Sequence, residues 1–233
     1  MKKLFLLLLT FCIMAGFGTV QSAKADTLAL SLVVDGSGSI SSTNWANQID
    51  AYATAIENVV PKDGTVALNV IQFGTDVTQE IEFTVINDTT IAGFLTDLRA
   101  ISQKDTRTNI SGGIELAVET LQAFDTGMDY DRWVIDVSTD GEHNEGIDPL
   151  TASMNAVNNG NVDAINAIGI GSAAALGFEY GANSFAITAD WADFDQALER
   201  KLIREITNVP EPATALLFGI GLLGLAGMGR KKS

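Results

Sequence analysis

Residues 28–34, Leu-Ala-Leu-Ser-Leu-Val-Val, form a nearly unbroken apolar run. Such a run predicts a strand buried on both faces of a parallel sheet. Residues 66–73, 133–137 and 162–168 read the same way. Between them lie helical periods: 44–60 places Trp45, Ile49, Tyr52, Ala53, Ile56 and Val59 on one stripe, and 110–124 does so with Ile114, Ala117, Val118 and Leu121. Residues 77–83 alternate polar and apolar, which suits an edge strand in a hairpin across Gly74-Thr75-Asp76. Helices are predicted within 90–101, 150–157 and 191–206, and a short strand at 184–188. The alternation predicts an α/β fold: a doubly wound, mostly parallel sheet with helices on both faces and one antiparallel edge strand. No internal repeat or low-complexity linker interrupts it, so one domain is expected.

The two ends follow other rules. Residues 1–25 have Lys2 and Lys3, an apolar stretch and then Ala23-Lys24-Ala25, the layout of a cleavable secretory signal. The apolar part is shorter than the ~20 residues of a spanning helix, which argues against an uncleaved anchor. Residues 209–233 contain Pro210-Glu211-Pro212, an apolar glycine-containing run and the basic cluster Arg230-Lys231-Lys232. A terminal transmembrane tether with its basic end cytoplasmic is expected. This segment resembles the PEP-CTERM sorting tail of exopolysaccharide-producing Gram-negative bacteria. The resemblance implies an inner-membrane-tethered precursor, cutting by an exosortase-type protease, and a mature form at the cell envelope, on the surface or outside the cell.

Between the ends, residues 26–208 are long enough for one well-filled core. The only cysteine, Cys12, lies in the signal, so the mature domain has neither disulfide nor thiol chemistry. Six of the 14 basic residues but one of the 29 acidic residues lie in the ends, which leaves the domain at −20. That charge repels nucleic acid and anionic membrane and favours cations or basic partners; it also serves solubility outside the cell.

In a doubly wound sheet, functional groups collect beyond the carboxyl ends of the strands. Val33-Val34-Asp35-Gly36-Ser37-Gly38-Ser39-Ile40 places Asp35 at such an end, with Ser37 and Ser39 in the following loop. Asp140 follows another strand in Ser138-Thr139-Asp140-Gly141, and Thr108 precedes a helix. Two carboxylates and three hydroxyls, without His or Cys, suit a hard divalent cation, Mg²⁺ or Mn²⁺ ahead of Ca²⁺. If the hydroxyls bind directly and a carboxylate acts through water, one position stays open for an acidic group of a partner.

Asp35-x-Ser37-x-Ser39, then Thr108, then Thr139-Asp140-Gly141 resembles the metal-ion-dependent adhesion site (MIDAS) of a von Willebrand factor A-type (vWA) domain. The likeness extends over residues 27–207 and includes Ala167-Ile168-Gly169-Ile170-Gly171 at the end of a late strand. It implies a Rossmann-like vWA fold, with Ser37 and Ser39 as direct ligands, Thr108 as a ligand in some states, and Asp35 and Asp140 mainly as acceptors for bound water. Residues 197–206 also resemble the closing helix of an uncharacterised bacterial branch of that superfamily.

Competing readings are weaker. Ser41, Ser42 and Thr43 precede a helix and are expected to cap it. Gly169-Ile170-Gly171-Ser172-Ala173-Ala174 imitates a dinucleotide fingerprint, but Gly177 leaves little room for a crossover helix. A phosphatase-like Asp35 lacks the second aspartate, since Ser37 stands two positions on. His143, the only histidine, is expected in a surface loop, so no Ser-His-Asp triad is available. Asp136, in step with Ser138 and Asp140, either supports the metal from behind or is a buried carboxylate paired with a hydroxyl or a basic group. The expectation is a non-enzymatic, exported adhesion module whose partner is a protein or acidic polysaccharide supplying a carboxylate. The alternative is a metal-independent component of the extracellular matrix.

Overall fold

The computed structural model describes residues 26–104, 106–124 and 130–208; the expected signal segment and sorting tail, with its transmembrane run, lie outside the described residues. The chain runs β1 (Leu28–Asp35), α1 (Ser42–Val59), β2 (Asp63–Phe73), β3 (Val77–Asn87), α2 (Ile91–Arg99), α3 (Ile110–Ala123) and β4 (Arg132–Thr139). It continues with α4 (Pro149–Asn159), β5 (Ala164–Ile170), β6 (Tyr180–Gly181), β7 (Ala186–Ala189) and α5 (Phe194–Thr207). Ser41 caps α1 as expected, its hydroxyl accepting from the Asn44 amide at 3.2 Å, while Ser42 and Thr43 sit inside the first turn. Among the described residues no helix is long and apolar enough to cross a membrane.

The sheet order is β3-β2-β1-β4-β5-β6, with β7 also on β5. β1 pairs in parallel with β2 on one side and β4 on the other. The chain therefore turns one way from β1 through α1 and later returns to the other side, which puts the topological switch point between the carboxyl ends of β1 and β4. β3 is the expected antiparallel edge strand. A second antiparallel contact, the two-residue β6 on Ala164 and Ile165, was not announced by any apolar pattern.

Alternate residues of the buried strands feed two cores. Leu28, Leu30, Leu32 and Val34 pack with α1, α2 and α5 on one face; Ala29 and Val33 pack with α3 and α4 on the other. Asp35 and Thr139 continue the α3/α4 side, whereas Asp136 and Ser138 continue the α1/α5 side with Val134.

That second side buries an ionic cluster. Lys201 of α5 donates to Asp136 and, at 2.6 Å, to Glu205 one turn further on. Burial first, then the charge of Asp136, pushes the Glu205 carboxyl up to about 7 from 4.5, against the lowering influence of Lys201. A carboxyl that holds its proton more tightly when folded stabilises the fold fully below about pH 4.5, and that contribution disappears as pH climbs through about 7. The expected loss over this window is on the order of 3 kcal/mol. Urea unfolding at pH 4.5 and 7.5 should show this fall in the wild type and a flatter profile in Glu205→Gln; equal slopes would refute the assignment.

Candidate metal centre

The site lies at the switch point. Asp35 is 0 % exposed at the end of β1. Its Oδ1 accepts from the Ser37 amide at 2.8 Å and its Oδ2 from Thr139 Oγ1 at 2.7 Å, so both oxygens are fixed by neighbours from β4 and its own loop. Ser37 is 1 % and Thr108 4 % exposed, Asp140 is half-buried, and Ser39 is exposed. The oxygens thus form a cup, closed at Asp35 and open to solvent at Ser39.

Within the cup, Ser37 Oγ lies 2.9 Å from Ser39 Oγ, which in turn donates to Asp140 Oδ1 at 2.6 Å. A Cβ built on Gly141 would stand 3.5 Å from Ser39 Oγ and 3.9 Å from Thr108 Oγ1, so the Thr108 hydroxyl faces the same hollow. The structure therefore gathers Asp35, Ser37, Ser39, Thr108 and Asp140 from three separate loops.

Several groups hold the cup in place. Gln48 of α1 donates to the Asp35 carbonyl at 2.9 Å. Gln103 Nε2 bridges the carbonyls of Ser37 (3.0 Å) and Ile40 (2.8 Å), while the Gly38 amide donates to Thr106 O at 2.8 Å. Gln72 spans to Ser102 O and the Lys104 amide at 3.0 and 2.8 Å, which requires the bare backbone of Gly36: a Cβ there would lie 2.0 Å from Gln72 Oε1. Thr108 is pinned by a pair of bonds with Asn144, 3.1 and 3.0 Å long. Sequence reasoning had not singled out these three glutamines, because a buried glutamine reads like any surface one until its partners are known.

Electrostatics distinguish the cup from a capping motif. Burial raises the Asp35 carboxyl despite the bonds from Ser37 and Thr139, and the Asp140 charge raises it further; burial raises Asp140 as well. Among the described residues neither carboxylate has an ion-pair partner, and no group of three or more His, Cys, Asp or Glu side chains surrounds a common point. What remains is an all-oxygen set rich in hydroxyls, with negative charge left unopposed. The spacing fits a small hard cation: an octahedral shell of radius roughly 2.0–2.1 Å sets adjacent oxygens about 2.9 Å apart.

Asp136 does not belong to this set. It points to the opposite side of the sheet and pairs with Lys201, so of its two expected roles the buried carboxylate with a basic partner is the one observed. His143 lies in a loop as expected, half-buried, and lines a cleft with Ile110 and Phe178. Gly169 serves close packing, since a Cβ there would come within 2.9 Å of the Ala174 side chain.

The fold is of the von Willebrand A type: a mostly parallel sheet with helices on both faces, shared with solved structures of that type. The chain belongs to the family described as protein of unknown function DUF1194, whose model matches residues 25–210, and a PEP-CTERM protein-sorting motif follows at 208–231. The motif marks the chain for exosortase processing and for a surface or extracellular destination. A search of curated proteins finds no match. Among solved structures, proximal thread matrix protein 1 from the mussel byssus is 18 % identical, with a TM-score of 0.63 over 79 % of this chain and 48 % of its own. The chain thus spans about half the length of that protein. Another structure of the mussel protein, TM-score 0.60, has a zinc-occupied MIDAS motif. An aerotolerance-related membrane protein from Bacteroides fragilis is 16 % identical, with a TM-score of 0.57 over 78 % of this chain and all of its own.

The bridging amide of Gln103 generates a prediction. Gln103→Ala removes both bonds to the loop, and amide hydrogen exchange over residues 37–40 should accelerate roughly tenfold, the factor for about 1.4 kcal/mol. Unchanged exchange there would show that the loop is held by its backbone contacts alone.

Proposed function

We propose that the protein is an exported, non-enzymatic binding module that captures an acidic group of a protein or polysaccharide partner through a divalent cation, Mg²⁺ or Mn²⁺. The observation that carries this reading is the triple of Ser37, Ser39 and Asp140 oxygens, spaced 2.9 and 2.6 Å apart at a solvent-open mouth. Ser37, Ser39 and Thr108 would hold the ion directly; Asp35 and Asp140 would accept from its bound waters. When bound, the ion would supply a Lewis-acidic position that an outside carboxylate completes. The zinc-occupied motif of the mussel protein supports the reading, as does the absence of a basic partner for either carboxylate among the described residues.

Asp35 keeps Thr139 and the Ser37 amide in register, so that the loop arrives with both serine hydroxyls on the same side. On this reading the work is done outside the cell, a destination the sorting motif supports, and the precursor would be held at the inner membrane by its tail until an exosortase cuts it. A matrix component that relies on its negative charge alone would need none of these oxygens.

Calorimetric titration of the purified protein with Mg²⁺ and Mn²⁺ should give saturable binding that falls at least tenfold in Ser37→Ala and in Asp140→Ala, with both variants retaining wild-type circular dichroism. Metal-dependent capture of carboxylate-bearing beads should be lost in parallel. Capture that survives chelator and the Ser37→Ala change would overturn the proposal in favour of the metal-independent matrix role.

A further inference from the structure

The face of the sheet away from the cup carries chemistry that the binding function does not use. Lys201, Asp136 and Glu205 are 1, 0 and 2 % exposed. Lys201 Nζ donates to Asp136 Oδ1 and to Glu205 Oε1, and Asn166 Nδ2 donates to the same Glu205 oxygen at 2.9 Å. Asp136 Oδ2 and Glu205 Oε2 are buried without a hydrogen-bond partner. The Phe185 ring flanks the amine, its centroid 5.7 Å from Nζ. As three ions this cluster leaves one net negative charge and two unsatisfied oxygens in the core, the half-satisfied kind of network that costs most.

We propose that Lys201 and Asp136 form a covalent modification site, in which the lysine amine condenses with the aspartate carboxyl to an intramolecular amide while Glu205 carries the protons. Burial weakens the preference for the ion pair over its neutral tautomer, and the two differ only by the position of one proton along the Nζ–Oδ1 hydrogen bond. From the neutral pair, Nζ attacks Asp136 Cγ. Glu205, as carboxylate, takes a proton from the nitrogen and returns it to a departing carboxyl oxygen, which leaves as water. One C–N bond forms and one C–O bond breaks; nothing is oxidised or reduced, no co-reactant enters, and Glu205 ends as it began.

Two features of the surroundings favour this sequence. Held in hydrogen-bond contact by α5 and β4, the amine and carboxyl react at the high effective concentration of a fixed pair. With its carboxyl near 7, Glu205 exchanges a proton readily at neutral pH. Burial pulls the Lys201 amine down, but the negative charge of Asp136 and Glu205 outweighs it, so the amine becomes nucleophilic only through transfer inside the cluster. Condensation removes the Asp136 and Lys201 charges together and expels one oxygen. It also ties β4 to α5 across 65 residues of a domain whose sequence supplies no cysteine for a disulfide.

Intact mass measurement of the denatured purified protein, followed by tandem mass spectrometry of its peptides, tests this directly. The expected result is a mass one water below that calculated for the same processed chain, with the peptides containing Asp136 and Lys201 joined. Succinimide formation at Asp35-Gly36 or Asp140-Gly141 would also lose water but would leave those peptides separate. Lys201→Arg keeps the cation and should show full mass; Asp136→Asn should reach the same cross-linked mass by losing ammonia instead. Glu205→Gln should stay largely uncrosslinked, and full cross-linking there would overturn its proton-carrying role. Folded wild-type protein of full mass, with Asp136 and Lys201 in separate peptides, would overturn the proposal.

Discussion

The parallel pairing of β1 with β4 is the constraint from which the rest follows. Its register sets Val34 opposite Ser138, so the next residues, Asp35 and Thr139, emerge side by side and join through Thr139 Oγ1 and Asp35 Oδ2 at 2.7 Å. Because the chain leaves β1 toward β2 and reaches β4 only after two further strands and helices, no continuous crossover covers this edge. The edge is left for loops, and three of them bring hydroxyls and a carboxylate to it. A register slip of one residue would turn Asp35 into the α1/α5 core and leave the serines without a floor.

The same strand pair carries buried acid on both faces, and the two faces solve that problem differently. Asp35 is satisfied by an amide and a hydroxyl, so its charge is accommodated but not cancelled, and the mouth above it stays wet at Ser39. Asp136 meets a lysine in the core, and both side chains are out of contact with solvent. The cup is open to solvent at one side; the ionic cluster is enclosed by β4 and α5. The contrast follows from which face of the β1–β4 pair each carboxylate points to.

Much of this was legible because strands of a parallel sheet are buried on both faces and their apolar runs are unambiguous. Residues 28–34, 66–73 and 133–137 fall within β1, β2 and β4; Asp35 ends β1, Asp140 follows β4, and Thr108 precedes α3. Boundaries were less readable. β2 begins at Asp63, before its apolar run, because the hairpin partner β3 extends to Asn87 and pairs with it. β6, two residues closed by Gly181 at φ +107°, has no length in which to show a period. The partner of Asp136 was hidden by 65 residues of separation, yet a signal existed: Leu198, Lys201, Leu202 and Glu205 occupy one helical stripe, so two charges stood at buried positions of α5.

The far pole of the domain completes the picture. Arg132, at the start of β4, donates to Asp26 at 2.7 Å and to the carbonyls of Glu205 and Ile206 at 2.8 and 2.9 Å. One guanidinium thereby fastens the first described residue to the last turn of α5, at the edge of the sheet opposite Asp35 and Thr139. The guanidinium also opposes the partial negative charge at the end of that helix. A tail leaving at residue 208 therefore departs from the pole away from the cup. The last described residue and the hydroxyl and carboxylate oxygens of the cup thus lie at opposite poles of the sheet.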